Sequence, residues 1–202
     1  MARLPFPVNT ITGVYGSMSE FRRKNGLQPH SGTDFAPRGS NKGKTAIPAV
    51  GSGTVKVAQW SNVLGWVLVH TVWDVKKKKA VYIGYSHLSC KTHGINCKGG
   101  HDVSMALNLK IDDKIKEGDT IGIMGNTGSA TSGVHLHLTG SWKVKGIFGV
   151  TSDKFDVVEW VETQEVPAAK GATKKAAPAV VKNVKPEVKT VYACPHCKKE
   201  LK

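Results

Sequence analysis

Four histidines and one aspartate are the side chains of this chain most able to do chemistry. They are His30 and Asp34 in HSGTD, His87 in YSHLS, and His135 with His137 in VHLHL. Three of the five could complete the ligand shell that a catalytic zinc ion prefers, with a fourth position open to water. The remaining two imidazoles could then move protons. The residue types therefore predict a catalytic zinc site.

The spacing within two of these motifs favours convergence of the side chains. Side chains alternate between the two faces of a strand, so His135 and His137 would share one face while Leu136 points into apolar packing. His30 and Asp34 are four residues apart, which gives them a common face in an extended segment or in a helix, although the intervening Ser, Gly and Thr argue against helix. In either conformation an imidazole and a carboxylate can converge.

Each motif taken alone also has an ordinary structural interpretation. A lone histidine such as His87 is usually a satisfied structural residue, and an isolated H-x-H or H-x-x-x-D pattern is a weak signal. We interpret His70, on a predicted strand, as structural, and His93 and His101 as exposed loop residues. The zinc hypothesis depends on all three motifs occurring together, in this order.

The elements that must position these residues are predicted to be strands. Many short runs rich in Val, Ile and Thr, punctuated by 22 glycines, are typical of strands and tight turns. The predicted strands are 53–60, 66–73, 80–88, 120–124 and 134–140. The best helix candidate is the short segment 17–25. The sequence therefore predicts a mainly β domain, long enough to bury a core.

These motifs stand in a longer context that resembles the M23 metallopeptidases, the lysostaphin-like peptidoglycan endopeptidases, over about residues 8–145. The matching text is TGVYGS, HSGTDFAPRG, TAIPAVGSGTVKVAQW, GWVLVHT, YSHLS, IKEGDTIGIMGNTGSATSG and VHLHL. The resemblance implies a mainly antiparallel β fold of the lysostaphin and LytM type, with a groove over the sheet. The loops 15–28 and 125–133 would form two walls of that groove and shape specificity rather than perform the chemistry.

The resemblance also implies roles for the five residues. His30, Asp34 and His137 would bind one Zn²⁺, and His87 and His135 would be the catalytic histidines outside the ligand shell. No HExxH glutamate is present to carry a proton, so an imidazole is the natural shuttle. His87 and His135 share this role, and one of them could instead hydrogen-bond the developing oxyanion. The resemblance thus predicts an endopeptidase that cuts the stem or cross-bridge of peptidoglycan.

Composition divides the chain into three predicted parts. Residues 1–163 form the M23-like domain, 164–190 form a linker rich in Ala, Lys and Pro, and 191–202 form a short tail. The tail contains Cys194 and Cys197 in a C-x-x-C knuckle, which is half of a structural zinc site. A dimer could complete that second site, and a reduced knuckle is equally economical.

Two further cysteines lie near an apparent insertion at 91–108. Cys90 and Cys97 could contribute to the second zinc site, or could form a loop disulfide if the protein acts outside a cell. Four cysteines in 202 residues do not make a disulfide framework. The proposed mechanism does not depend on them.

Charge points to polyanionic partners. Lys and Arg number 29 against 15 Asp and Glu, a net charge of +14, and the segment after Thr163 holds nine lysines against three glutamates. Such a surface attracts anionic wall polymers or lipid head groups, with nucleic acid as a competing partner. The lysine run at 76–79 is interpreted as a solvated hairpin turn.

The N-terminal residues do not resemble a secretory leader. Pro5, Pro7, Asn9 and Thr10 interrupt the required apolar core, and no run is long enough to span a membrane. We therefore expect a monomer made in the host cytoplasm and acting on the wall, most like a phage endolysin that a holin releases. A bacterial protein without a leader and a mature fragment are the alternatives.

Two other classes of function compete with a peptidase. A relative that keeps the fold could bind the wall without hydrolysis, but the presence of all five polar residues argues against this. A nucleic-acid-binding protein could act through its basic tail and the Cys194–Cys197 knuckle, but that leaves the histidines unexplained. Val134, Thr139 and Gly140 depart from the family pattern, so a difference from the family is expected in the groove rather than in the ligands.

Overall fold

The structure is a computed structural model that describes residues 2–39, 43–91, 94–95, 105–149 and 151–164. The predicted linker beyond Gln164 and the tail 191–202 lie outside these residues. Several other predictions fall outside them as well, namely those on His93, Cys97, His101, Cys194 and Cys197.

Most strands belong to one antiparallel sheet. Its strands are β1 (Ile11–Gly13), β2 (Thr33–Phe35), β4 (Gly53–Ser61), β5 (Gly65–Asp74), β6 (Lys79–Leu88), β7 (Lys114–Ile115), β9 (Leu136–Ser141) and β10 (Lys154–Phe155). Their order across the sheet is β1-β2-β9-β6-β5-β4-β7, and β10 also pairs with β9. Strands β3 (Ala46–Pro48) and β8 (Thr120–Ile123) form a separate antiparallel pair. The prediction of a mainly β antiparallel fold is confirmed.

Helices in the described part of the chain are short. Helix α1 (Glu20–Lys24) lies within the predicted segment 17–25 and is capped by Ser19, whose hydroxyl accepts from the backbone N–H of Arg22. Helix α2 (Val157–Thr163) was not predicted. Single 3₁₀ turns occupy Val8–Thr10, Val144–Ile147 and Thr151–Asp153. Among the described residues, no helix combines the length and the apolar character needed to cross a bilayer.

The central strands bury both of their faces. In β5, Leu68 and Val72 belong to the main core, whereas Val67 and Val69 pack on the opposite face against Ile147. Because both faces are covered, apolar residues follow one another along most of this strand instead of alternating with polar ones. Packing on both faces therefore fixes the position of this strand in the sheet.

The longer predicted strands match the observed ones closely, but one boundary differs at the site. Strand β9 begins at Leu136 rather than at 134, and His135 makes an isolated bridge to Gly125. The short strands β1, β2, β3, β7 and β10 were not predicted. Segments of two or three residues are too short to show an alternating pattern.

Candidate metal centre

Two neighbouring strands bring Asp34 and His137 face to face. In the β2–β9 pair these residues are direct cross-strand partners, and Asp34 Oδ1 lies 2.8 Å from His137 Nδ1. His30, just before β2, places its Nε2 3.2 Å from His137 Nδ1 and 3.3 Å from Asp34 Oδ2. Since opposite residues of an antiparallel pair lie closest together, strand register alone brings together two of these three side chains.

The three side chains fit a zinc ion. Each offers one ligand atom, and these atoms all lie within 4.8 Å of one another. The Nδ1–H of His30 donates to the backbone carbonyl of Val14 at 3.1 Å, which leaves Nε2 as the nitrogen able to bind metal. Two imidazole nitrogens and one carboxylate oxygen match the donor set of three-ligand catalytic zinc sites.

The electrostatics of the cluster favour the ligand forms of these groups. Burial alone would raise the pKa of Asp34, but hydrogen bonds with His137 and His30 outweigh it and hold the pKa well below its usual range. Burial lowers the pKa of His137, although its hydrogen bond with Asp34 opposes the shift. An ionised carboxylate beside a neutral imidazole is the state that metal binding requires.

His87 reaches the cluster through an irregularity in β6. The pairing of β6 with β5 shifts by one residue between Tyr85 and Leu88, and His87 has a positive φ of 61°. This backbone conformation is uncommon outside glycine, and it aims the ring differently from a regular strand. The ring centroid lies 4.9 Å from that of His135 and 5.9 Å from that of His137.

Carbonyl groups of the loop 125–133 hold both remaining histidines. The Nδ1–H of His87 donates to Thr127 O at 2.7 Å, and that of His135 donates to Gly133 O at 2.8 Å. With Nδ1 as the donor, Nε2 is the nitrogen of each ring that is free to accept a proton. Burial lowers the pKa of His87 to about 3, which keeps its ring neutral. This loop was expected only to shape specificity, and it also orients these two rings.

A groove of about 570 Å³ contains the whole cluster, and all five predicted site residues line it. One wall carries Phe21, Arg22 and Leu27, from the predicted loop 15–28. Residues 129–132 of the Gly-rich loop line the groove as well. The two loops predicted as groove walls therefore do flank the cluster.

Two glycines and one threonine that support the site were not singled out from the sequence. A Cβ at Gly32 would lie 2.8 Å from the His137 ring, and one at Gly13 would lie 2.6 Å from Asp34 Oδ2. Thr127 is buried, and its hydroxyl donates to Leu88 O. The available signal was the position of both glycines inside the TGVYGS and HSGTD motifs.

His70 lies in the core, as its structural interpretation predicts. It is fully buried in β5, and its Nε2 accepts from the hydroxyl of Tyr85 at 2.9 Å. The lysine run 76–79 occupies the turn between β5 and β6, with Lys77 Nζ 3.7 Å from the centre of the Trp142 ring. Neither feature lines the groove.

A family model and several solved structures match this chain. The family model described as Peptidase family M23 matches residues 28–146, more than half of the chain. The chain is similar to a zinc containing peptidase from Vibrio cholerae, with 24% identity and a TM-score of 0.46, over 69% of this chain and 36% of that chain. It is similar to LytU with 26% identity and a TM-score of 0.49, over 75% of this chain and 83% of that chain.

A third solved structure shares the fold. Csd3 of Helicobacter pylori aligns with 19% identity and a TM-score of 0.50, over 79% of this chain and 33% of that chain. The chain thus spans well under half the length of the Vibrio cholerae and Helicobacter pylori chains that it matches. The family match covers the segment that holds His30, Asp34, His87, His135 and His137. The chain belongs to peptidase family M23, and His30, Asp34 and His137 are its zinc-binding group.

Proposed function

We propose that this chain is a zinc-dependent endopeptidase that hydrolyses peptide bonds in the stem or cross-bridge of bacterial peptidoglycan. One observation carries the proposal. A groove contains a three-ligand zinc group and, beside it, His87 and His135, whose Nδ1 atoms are held by loop carbonyls. A site that only bound metal for stability would not need two further oriented imidazoles in the same groove.

In this proposal His30, Asp34 and His137 hold the metal, and zinc, when bound, supplies Lewis-acid chemistry that acidifies water and polarises a carbonyl. His87 and His135 hold and move the proton. The Nε2 of one ring takes it from the attacking water, and a ring then delivers it to the nitrogen of the leaving amine. A ring that carries a proton on Nε2 as well can donate a hydrogen bond to the oxyanion, because its Nδ1–H stays on the loop carbonyl.

The proposal extends to a role in lysis of the bacterial host, as an endolysin. The net charge of +14 supports this role, because a basic chain is attracted to the anionic polymers of the cell wall. We propose that residues 1–163 act as the catalytic domain, that 164–190 serve as a linker, and that 191–202 form a separate tail. Deleting the tail should weaken wall binding in a salt-sensitive way and leave cleavage of a soluble muropeptide nearly intact.

Digestion of purified peptidoglycan followed by mass analysis of the fragments tests the enzymatic proposal. We expect each cut to leave a new carboxylate on one fragment and a new amino terminus on the other, and far fewer fragments in the same time when the His87→Ala variant is used. Wall binding without any new peptide fragments would instead favour a non-catalytic wall-binding protein. Lysis of cells that make the chain together with a membrane-permeabilising protein tests the endolysin role separately.

A further inference from the structure

The wall of the groove carries a cation that the proposed chemistry does not use. Arg22 of α1 lines the groove and is partly buried. No carboxylate of the described residues lies within ion-pair distance of it, and Glu20 of the same helix pairs with Lys24 at 2.8 Å instead. An arginine that faces a binding groove without an acidic partner is a candidate for binding an anion.

The guanidinium of Arg22 is held in place by its own loop. Its Nη1 donates to the carbonyl of Gln28 at 2.8 Å, across the turn that follows α1. This bond uses one of the five N–H donors of an arginine and leaves the others for a ligand. Because the side chain is already anchored, less conformational freedom is lost when an anion binds.

Arg22 differs in charge from most of the other residues that line the groove. Apart from Arg22, the three zinc ligands and the two histidines beside them, the described residues that line the groove are neutral, and several are apolar. Phe21, Leu27 and Val63, which also line the groove, are large apolar side chains that solvent reaches. The groove therefore offers apolar contact surface and one fixed positive charge beside the reaction centre.

We propose that Arg22 binds a free carboxylate of the peptide substrate, away from the scissile bond. The inference rests on the proposed peptidase function and narrows its substrate class. A stem peptide, which carries free carboxylates, is favoured over a bridge made only of glycine, which has none along its length. Arg22 is then a specificity-determining residue of the groove, and α1 is the element that presents it.

Binding of two peptides to zinc-loaded full-length protein tests the assignment. The probes are the tetrapeptide L-Ala-γ-D-Glu-L-Lys-D-Ala and the same peptide with both carboxylates amidated, each measured by titration calorimetry. Charge-assisted hydrogen bonds contribute about 1.5–3 kcal/mol, so amidation should weaken binding by about 10- to 100-fold. In Arg22→Gln this difference should fall to about threefold or less.

Arg23→Gln is the matched control, because Arg23 lies on the same helix, is exposed and does not line the groove. It should keep the full difference between the two peptides. Arg22→Lys retains the charge without the planar guanidinium and should give an intermediate value. Zinc content measured in every variant shows that the reaction centre is intact.

Equal discrimination in Arg22→Gln and Arg23→Gln would overturn the proposal, because the carboxylate would then be held by the zinc ion or elsewhere. Wild-type protein that binds both peptides equally, or binds neither, would overturn it as well. Failure of the peptidase function is a separate result. It would show as intact peptidoglycan after digestion, whereas the discrimination that Arg22 confers is read from the binding affinities of the two peptides.

Discussion

A buried histidine of the core, His70, and a buried histidine of the zinc group, His137, have different chemistry. His70 is fully buried in the core, and its ring meets only the Tyr85 hydroxyl among the described hydrogen-bonding groups. His137 is almost as buried, at 7% exposure, but it faces Asp34 and lies beside His30 and His87. Burial lowers the pKa of both imidazoles, so burial does not distinguish a structural histidine from a ligand.

The difference lies in what surrounds each ring. The cross-strand partners of His70 are Val55 and Ile83, and one nitrogen of its ring has no hydrogen-bond partner among the described residues. Around His137 a carboxylate and a second imidazole supply donor atoms within metal-binding reach, and a groove gives access. A carboxylate with converging nitrogens therefore marks the functional site, and the following changes test that contrast.

The largest effect is expected from His137→Ala. It removes one of three zinc ligands, so bound zinc and hydrolysis should be lost together. The loss of zinc affinity should exceed the about 10- to 100-fold that removal of a group supporting a ligand costs. Elemental analysis and a muropeptide assay measure both. His70→Asn is the control from the core, and it should keep zinc. Zinc retained by His137→Ala would refute the ligand assignment.

His87→Ala should separate metal binding from turnover. Its ring is oriented by Thr127 and supplies no ligand atom in our account, so zinc content should stay at one ion in the groove. Loss of a positioned proton carrier should lower kcat by about 10²- to 10⁴-fold. Stopped-flow or endpoint kinetics beside elemental analysis check this. If zinc falls as far as it does in His137→Ala, the division of roles is wrong.

Gly32→Ala should disturb the zinc group without removing a ligand. The added Cβ would lie 2.8 Å from the His137 ring and 2.5 Å from Leu138 O, so the ring must shift. We expect a fall in zinc affinity of about 10- to 100-fold, as for loss of a supporting contact. Competition with a chelator measures it. Gly133→Ala is the control, because nothing lies within 4 Å of its added Cβ.

The smallest effect concerns stability at acid pH. Burial lowers the pKa of His70 to about 4, from 6.5 in an unfolded chain, so between these values the unfolded state binds the proton first. The free energy of unfolding should therefore fall as pH falls from 6.5 towards 4, and His70 should account for about 2 kcal/mol of the loss at pH 5.

Urea unfolding of zinc-free protein at pH 7 and pH 5 measures this loss. His70→Asn should show a smaller loss than wild type. Tyr85→Phe removes the hydrogen bond but keeps the imidazole buried, and burial is the cause of the lowered pKa, so most of the pH dependence should remain even though the stability is lower at both pH values. An unchanged loss in His70→Asn would show that other groups cause it.

The zinc ligands are easier to predict from the sequence than the backbone groups that orient the histidine rings. The three motifs together single out five candidate side chains, and the resemblance to the M23 family then assigns His30, Asp34 and His137 as the ligands among them. The carbonyls of Val14, Thr127 and Gly133 were not predictable in the same way, because any residue type has a backbone carbonyl. The irregularity at His87 was also missed, since a bulge depends on the partner strand and not on the local pattern.

Arg22 illustrates a second limit of sequence patterns. It lies in a run of three basic residues, 22–24, which reads as an ordinary solvated helix face. In the folded protein Arg22 lines the groove, whereas Lys24 forms an ion pair with Glu20. Which charge is available to a substrate is therefore a property of the tertiary structure.

Anomalous diffraction at the zinc absorption edge, from crystals of the full chain grown with zinc, tests the central claim most directly. We predict one anomalous peak within bonding distance of His30 Nε2, Asp34 and His137 Nδ1, with His87 and His135 beside it but outside the ligand shell. No peak at these atoms, or a peak ligated by His87 and His135 in their place, would contradict the account.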